Sequence, residues 1–124
     1  MTNRTPTDAG PSLGPESLSR ALSLLANARR RQVLSYLACH RSLSLPTLAD
    51  EVAEGEADVP LREVDAETVR DVYLSLYHTH VPKLEDAGVV AYDQERDWVT
   101  RRDTRRCELV LSLLDSVPAG AEPA

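Results

Sequence analysis

Residues 72–100 read VYLSLYHTHVPKLEDAGVVAYDQERDWVT. Val72, Leu76, His80 and Leu84 recur at four-residue steps, with Val69 just upstream, so one apolar side runs along a helix. Gly88 is its natural stop, because a residue without Cβ accepts the left-handed conformation that closes a helix. Pro82 removes one backbone hydrogen bond, and a kink is expected around residues 78–82. Val89–Tyr92 then reads as a strand, Asp93–Arg96 as a tight turn and Asp97–Thr100 as the returning strand. A long helix over about 65–87, running straight into a hairpin, is the pattern that decides the fold.

Upstream of it, Leu18, Ala21, Leu22 and Leu25 mark a first helix that begins near Pro15. Asn27 interrupts that helix or caps a second, whose buried stripe is Val33, Leu34 and Leu37, up to about His40. Leu43 is expected to form a very short strand that pairs with the hairpin. Ser44 suits an N-cap and Pro46 is tolerated in the first turn of a short helix with Leu45, Leu48, Ala49 and Val52 on its apolar face. Gly55 is expected to end that helix, leaving an acidic loop to Asp65. Downstream, Cys107, Val110, Leu111, Leu114 and Val117 form the stripe of a last helix over about 103–116, widened by Leu109 and Leu113. Such an apolar circumference predicts burial on two sides. Residues 1–15 and 118–124, rich in Pro, Gly and polar residues, are expected to be a disordered arm and tail. The organisation is one domain over 16–102 plus a C-terminal helix over 103–117.

Composition sets the outer limits. A chain of 124 residues suffices for one core. It is 42% apolar, without Phe and with one Trp, which suits packed helices better than a β-sandwich. The net charge is −6, and Lys83 is the one lysine among 14 basic residues. An acidic, lysine-poor surface is a halophilic trait, and it confines any nucleic-acid contact to a local patch. Cys39 and Cys107 form no CxxC pair, which argues against a disulfide framework or a zinc site. No apolar run approaches the roughly 18–20 residues of a membrane span, and the polar N-terminus lacks a signal-peptide core, so a cytoplasmic protein is expected.

The order of helix, short helix, long helix, hairpin and terminal helix is that of a mainly α winged helix-turn-helix domain, with a three-helix core and a two-stranded wing. Leu24–Leu34, Ser44–Ala49 and Val72–Val90 together resemble a widespread haloarchaeal winged helix family, over about Leu18–Val99. His80–Val90 is also similar to the recognition helix and wing of ArsR-type regulators. The resemblance implies a regulator that binds double-stranded DNA, with the long helix as recognition helix. Opposite its apolar side lie Ser75, His78, Thr79 and, past the kink, Lys83, able to meet base edges and phosphate. Arg96 at the wing tip and Arg101 and Arg102 at its base suit phosphates. Two features depart from that pattern: the long acidic connection over 55–65, and a recognition face with one Lys and no Arg.

Charge is unevenly distributed. Residues 17–49 hold Arg20, Arg29, Arg30, Arg31 and Arg41 with no acid, whereas 50–67 hold eight acids against Arg62. Consecutive arginines on a helix point about 100° apart, so Arg29, Arg30 and Arg31 do not face one groove together, and intramolecular partners are the simpler expectation for them. For Arg96, Arg101 and Arg102, phosphate contact and solvation are equally compatible with the sequence.

His78 and His80 lie two apart on a helix and point to nearly opposite sides, which rules out joint chelation. His80 is expected in the core with a hydrogen-bonded ring nitrogen, and His78 in solvent. No metal site and no cofactor are expected. Nothing resembles a phosphate loop, a nucleophile elbow or a buried carboxylate pair, so no enzyme is expected. The sequence therefore predicts a DNA-binding homodimer paired through Cys107, Val110, Leu111 and Leu114, helped by Leu18, Leu22 and Leu25. Two alternatives stand beside it: a winged domain that binds protein but not DNA, and a metal- or redox-responsive regulator using Cys39, Cys107 and the histidines.

Overall fold

A computed structural model describes residues 14–117. The arm expected over 1–15, apart from Gly14 and Pro15, and the tail over 118–124 lie outside the described residues. The chain is mainly helical with one small antiparallel sheet, an arrangement compatible with a winged helix.

Helix α1 (Pro15–Leu24) starts at a proline, whose fixed φ suits the first helical position. Helix α2 (Ala28–Cys39) is capped by Asn27, whose Oδ1 accepts from the backbone N–H of Arg29 at 2.9 Å and Arg30 at 3.2 Å. Strand β1 (Ser42–Ser44) is as short as expected at Leu43. Helix α3 (Leu45–Ala57) has Ser44 as N-cap, its Oγ accepting from Thr47 N–H at 3.1 Å.

Gly55 does not end α3. The helix continues to Ala57 and closes on Asp58 in the left-handed region, at φ 57. The glycine answers to packing instead: a Cβ on Gly55 would stand 2.8 Å from Gln32 Oε1 of α2. Glu56 is therefore helical rather than in the loop, and the connection shrinks to 58–65 around a 3-10 turn at Leu61–Glu63.

The long helical segment is built in three parts: α4 (Ala66–Ser75), a π turn (Leu76–His80) and α5 (Val81–Asp86). Val81 N–H donates to Leu76 O, five residues back. Proline in a regular α-helix lacks the N–H and its ring crowds the carbonyl four residues earlier, here that of His78. The wider turn just before Pro82 accommodates both, where a simple kink was expected. Gly88, at φ 80, closes α5: Val89 N–H reaches Leu84 O at 3.0 Å and Gly88 N–H reaches Glu85 O at 2.9 Å.

Strands β2 (Val90–Asp93) and β3 (Trp98–Arg101) form the hairpin, and β1 pairs with β3, giving the order β1-β3-β2. In that register Val99 faces Leu43 on one side and Tyr92 on the other. Helix α6 (Arg105–Leu114) is capped by Thr104, whose Oγ1 accepts from Cys107 N–H at 3.1 Å, and packs on α1 and α2.

One core joins Val33, Leu34 and Leu37 of α2, Leu45, Leu48 and Val52 of α3, Val72, Leu76 and Leu84 of the long segment, and Val99 of the hairpin. Cys107 and Val110 belong to it, at 2% and 1% exposure. These two residues of the expected dimer contact are thus consumed inside the chain, because α6 turns that face onto α1 and α2. Leu111 and Leu114 are half-buried against the same core, whereas Leu18 and Leu22 of α1 remain 41% and 50% exposed. Among the described residues no helix is long and apolar enough to cross a membrane.

Candidate functional site

The hairpin is fastened to the helical segment by a cluster of tyrosines around one carboxylate. Asp97, in the left-handed region at φ 56, closes the turn of the hairpin. Its carboxylate accepts from Tyr73 OH of α4 at 2.6 Å and from Tyr92 OH of β2 at 2.5 Å. Its backbone carbonyl accepts from Leu45 N–H at 2.8 Å, which ties the turn to the start of α3 as well. The Tyr73 and Tyr77 rings lie parallel at 6.3 Å, and Tyr92 meets Tyr77 edge-on at 6.0 Å. The hydrogen bond to Asp97, with burial, pushes the Tyr73 hydroxyl up to about 12. Burial, with the same carboxylate, pushes Tyr92 upward too.

The hairpin tip is held by local bonds. Asp93 Oδ1 accepts from Glu95 N–H at 3.1 Å and Arg96 N–H at 3.3 Å, a side chain standing in for backbone in a tight turn. Gln94 Nε2 donates to Tyr77 OH at 3.4 Å, and Tyr92 N–H donates to Glu85 Oε2 at 3.2 Å. The tip therefore lies beside the π turn. His78, whose ring meets Tyr77 edge-on at 4.9 Å, stands on that same side.

His78 and Thr79 are exposed, while Ser75 is half-buried. Arg96 is exposed, its guanidinium 5.3 Å from the centre of the Trp98 ring. Arg102 is exposed, but Arg101 is turned inward: its Nη1 donates to Leu37 O at 3.2 Å and Ala38 O at 3.1 Å, closing the end of α2. Lys83 is exposed on α5, where it borders a cavity shared with α1 and α6. The structure thus brings His78 beside the hairpin tip, leaves Thr79 exposed at the next helical position and Ser75 half-buried, and turns half-buried Arg101 onto carbonyls of α2. Sequence patterning counted Glu67 only among the acids of 50–67 and passed over Asp71; both flank Arg70 as exposed acids on α4. Helical spacing from Leu74 and His78 would have placed them on the outer face.

The arginines of α2 have intramolecular partners. Arg29 Nε pairs with Glu56 at 2.5 Å, which raises its pKa above the usual guanidinium value. Arg31 Nη1 donates to Leu25 O at 2.6 Å. Arg30 is buried and donates to Leu24 O at 2.8 Å and Ser23 O at 3.0 Å, carbonyls at the end of α1. Its Nη1 meets His80 Nδ1 at 3.3 Å. Since a guanidinium only donates, Nδ1 is the acceptor and His80 carries its proton on Nε2. Burial and then the Arg30 charge hold His80 below the ordinary histidine pKa, which keeps the ring neutral. His80 is the core histidine that the sequence predicted. Cys39 is exposed and Cys107 buried, both as free thiols. Among the described residues, no group of three His, Cys, Asp or Glu is arranged to hold a metal ion.

No curated protein and no solved structure matches the chain. A family model does match, over residues 22–100, which span the end of α1 through most of β3 and so include the helical segment, the tyrosine cluster and most of the hairpin. The chain belongs to the family defined by the domain of unknown function DUF7344.

Proposed function

We propose that the chain is a winged helix-turn-helix regulator of transcription, not an enzyme, that acts in the cytoplasm as a homodimer on double-stranded DNA. One observation carries this: exposed His78, edge-on to Tyr77, stands beside the hairpin tip that Gln94 holds against Tyr77, and exposed Thr79 follows it along the helix. A helix side chain at a base edge, flanked by a hairpin that grips the neighbouring backbone, is how this architecture reads a duplex. His78 and Thr79 take base edges, and Arg96 and Arg102 take phosphates. Lys83, further along the segment, adds a phosphate contact at its edge.

Fluorescence anisotropy with duplexes from upstream of the chain's own gene, over a potassium chloride series, tests this. Sequence-specific binding that falls about tenfold in His78→Ala with Thr79→Ala supports it. Absence of binding at every salt concentration overturns it. Pairing through α1 and the outer side of α6 is supported by exposed Leu18 and Leu22. Light scattering is expected to give a dimeric mass for the natural chain and a monomeric one for Leu18→Glu with Leu22→Glu.

A role in binding protein rather than DNA is favoured by one specific observation. Glu67 and Asp71 are exposed on α4, where they repel phosphates and suit a basic partner.

A further inference from the structure

Between α1, α5 and α6 lies a cavity of about 320 Å³. Its floor is apolar, made by Ala21 and Leu24 of α1 and Val110 of α6, all buried core residues. Its rim carries three cations from three different helices: Arg20, Lys83 and Arg106. A single acid, Asp86, stands among them.

In a chain of net charge −6, a local excess of positive charge over an apolar hollow calls for a partner. The cations are not neutralised from within. The side chains of Arg20 and Lys83 make no hydrogen bond or ion pair with any described residue, and Asp86 pairs with neither. Arg106 is anchored by one donor, Nη1 to Ala87 O at 3.3 Å, which leaves the rest of its fork open. Three unpaired cations around one opening repel one another, and one anion at their centre reverses that sign.

The floor then selects among anions. Inorganic phosphate would satisfy the rim and leave the apolar hollow filled with water. A neutral apolar compound would fill the hollow and leave the cations unpaired. A compact apolar body ending in a carboxylate satisfies both, and the cavity volume falls at the lower end of the range that holds small ligands. Guanidinium groups also match a carboxylate in a two-pronged geometry.

We infer that this cavity is a binding site for a small amphipathic carboxylate, held at its charged end by Arg20, Lys83 and Arg106 with its apolar body on Ala21, Leu24 and Val110. The site stands independently of DNA binding, with which it shares Lys83 alone.

Titration of the full chain with phenylacetate at constant ionic strength, followed by amide chemical shifts, tests it without DNA. Saturable shifts confined to α1, α5 and α6 are expected. Arg20→Gln and Lys83→Gln are each expected to weaken binding about tenfold, and 2-phenylethanol, which has the same body without the charge, to bind at least about tenfold more weakly. Both side chains are exposed, so unfolding curves of these variants should match the natural chain. Ala87→Leu, which fills the cavity with every charge in place, should abolish the shifts. Shifts that fail to saturate, that spread over the surface, or that persist unchanged in the variants would overturn the site. Inorganic phosphate displacing phenylacetate as well as a second carboxylate does would overturn the amphipathic assignment.

Discussion

Arg30 of α2 and Arg96 of the β2–β3 hairpin carry the same charged group into opposite surroundings. Arg30 is 8% exposed, and its donors close the carbonyls of Ser23 and Leu24 and meet a neutral histidine. Arg96 rests over the Trp98 ring and faces solvent. Removing Arg30 takes the buried donors away from the Leu24 carbonyl and the His80 ring nitrogen, whereas removing Arg96 leaves water in its place. The difference teaches that a basic cluster in sequence is no measure of basic surface. Arg29, Arg30 and Arg31 each end on a partner within the chain, so the outward positive charge is supplied by other residues, among them Arg96 of the hairpin and Arg20 and Lys83 at the rim of the α1–α5–α6 cavity.

The largest effect that would test this contrast is on stability. Arg30→Met is expected to cost about 3 kcal/mol in urea unfolding, the scale for orphaning buried polar groups. A loss below about 1 kcal/mol would place Arg30 in the same class as Arg96. Asp97→Asn comes next, at about 1–2 kcal/mol, because two tyrosine hydroxyls lose a charged acceptor.

That carboxylate also gives the natural chain an alkaline limb. Tyr73 has its pKa raised in the folded state, so its contribution is whole below the ordinary value of 10.0 and is lost as pH rises through about 12. Unfolding followed across that window should show the decline, and Asp97→Asn should flatten it. Arg96→Ala and Arg102→Ala should each leave stability within about 1 kcal/mol of the natural chain. On the proposed function, each should also lower the salt slope of DNA binding by about 1. Smallest is Arg29→Ala, at about 0.5 kcal/mol and fading in high salt. Its pair with Glu56 is 31% exposed on both sides, and such pairs are screened.

Local rules carried most of the fold. Asn27, Ser44 and Gly88 mark helix ends because each satisfies orphan backbone groups within three or four residues of itself, and that chemistry is written in the neighbouring sequence. The short strand at Leu43 followed from the hairpin that needed a partner. Gly55 misled because its cause is tertiary: the residue is small to admit Gln32 from another helix. Pro82 announced a disturbance without its form, since a kink and a π turn both relieve the same crowded carbonyl. At the candidate site, exposure of His78 and Thr79 followed from helical phase. Arg101 and the pair Cys107 and Val110 were assigned outward, because periodicity gives a face and does not say which neighbour that face meets. The Asp97 latch escaped notice for a related reason. Its partners lie 24 and 5 residues away, and no periodic pattern joins them.

That latch has an entropic consequence. A free hairpin must surrender its backbone freedom when it settles on another surface, at about 1–2 kcal/mol per residue fixed. Here Asp97, Tyr73 and Tyr92 have already settled β2 and β3 against α4 before any encounter. What remains to be immobilised on contact is a few exposed side chains at the tip, each at about 0.5–1.5 kcal/mol. On the proposed function, the hairpin would meet its partner as a finished shape, and its selectivity would reside in fit rather than in folding.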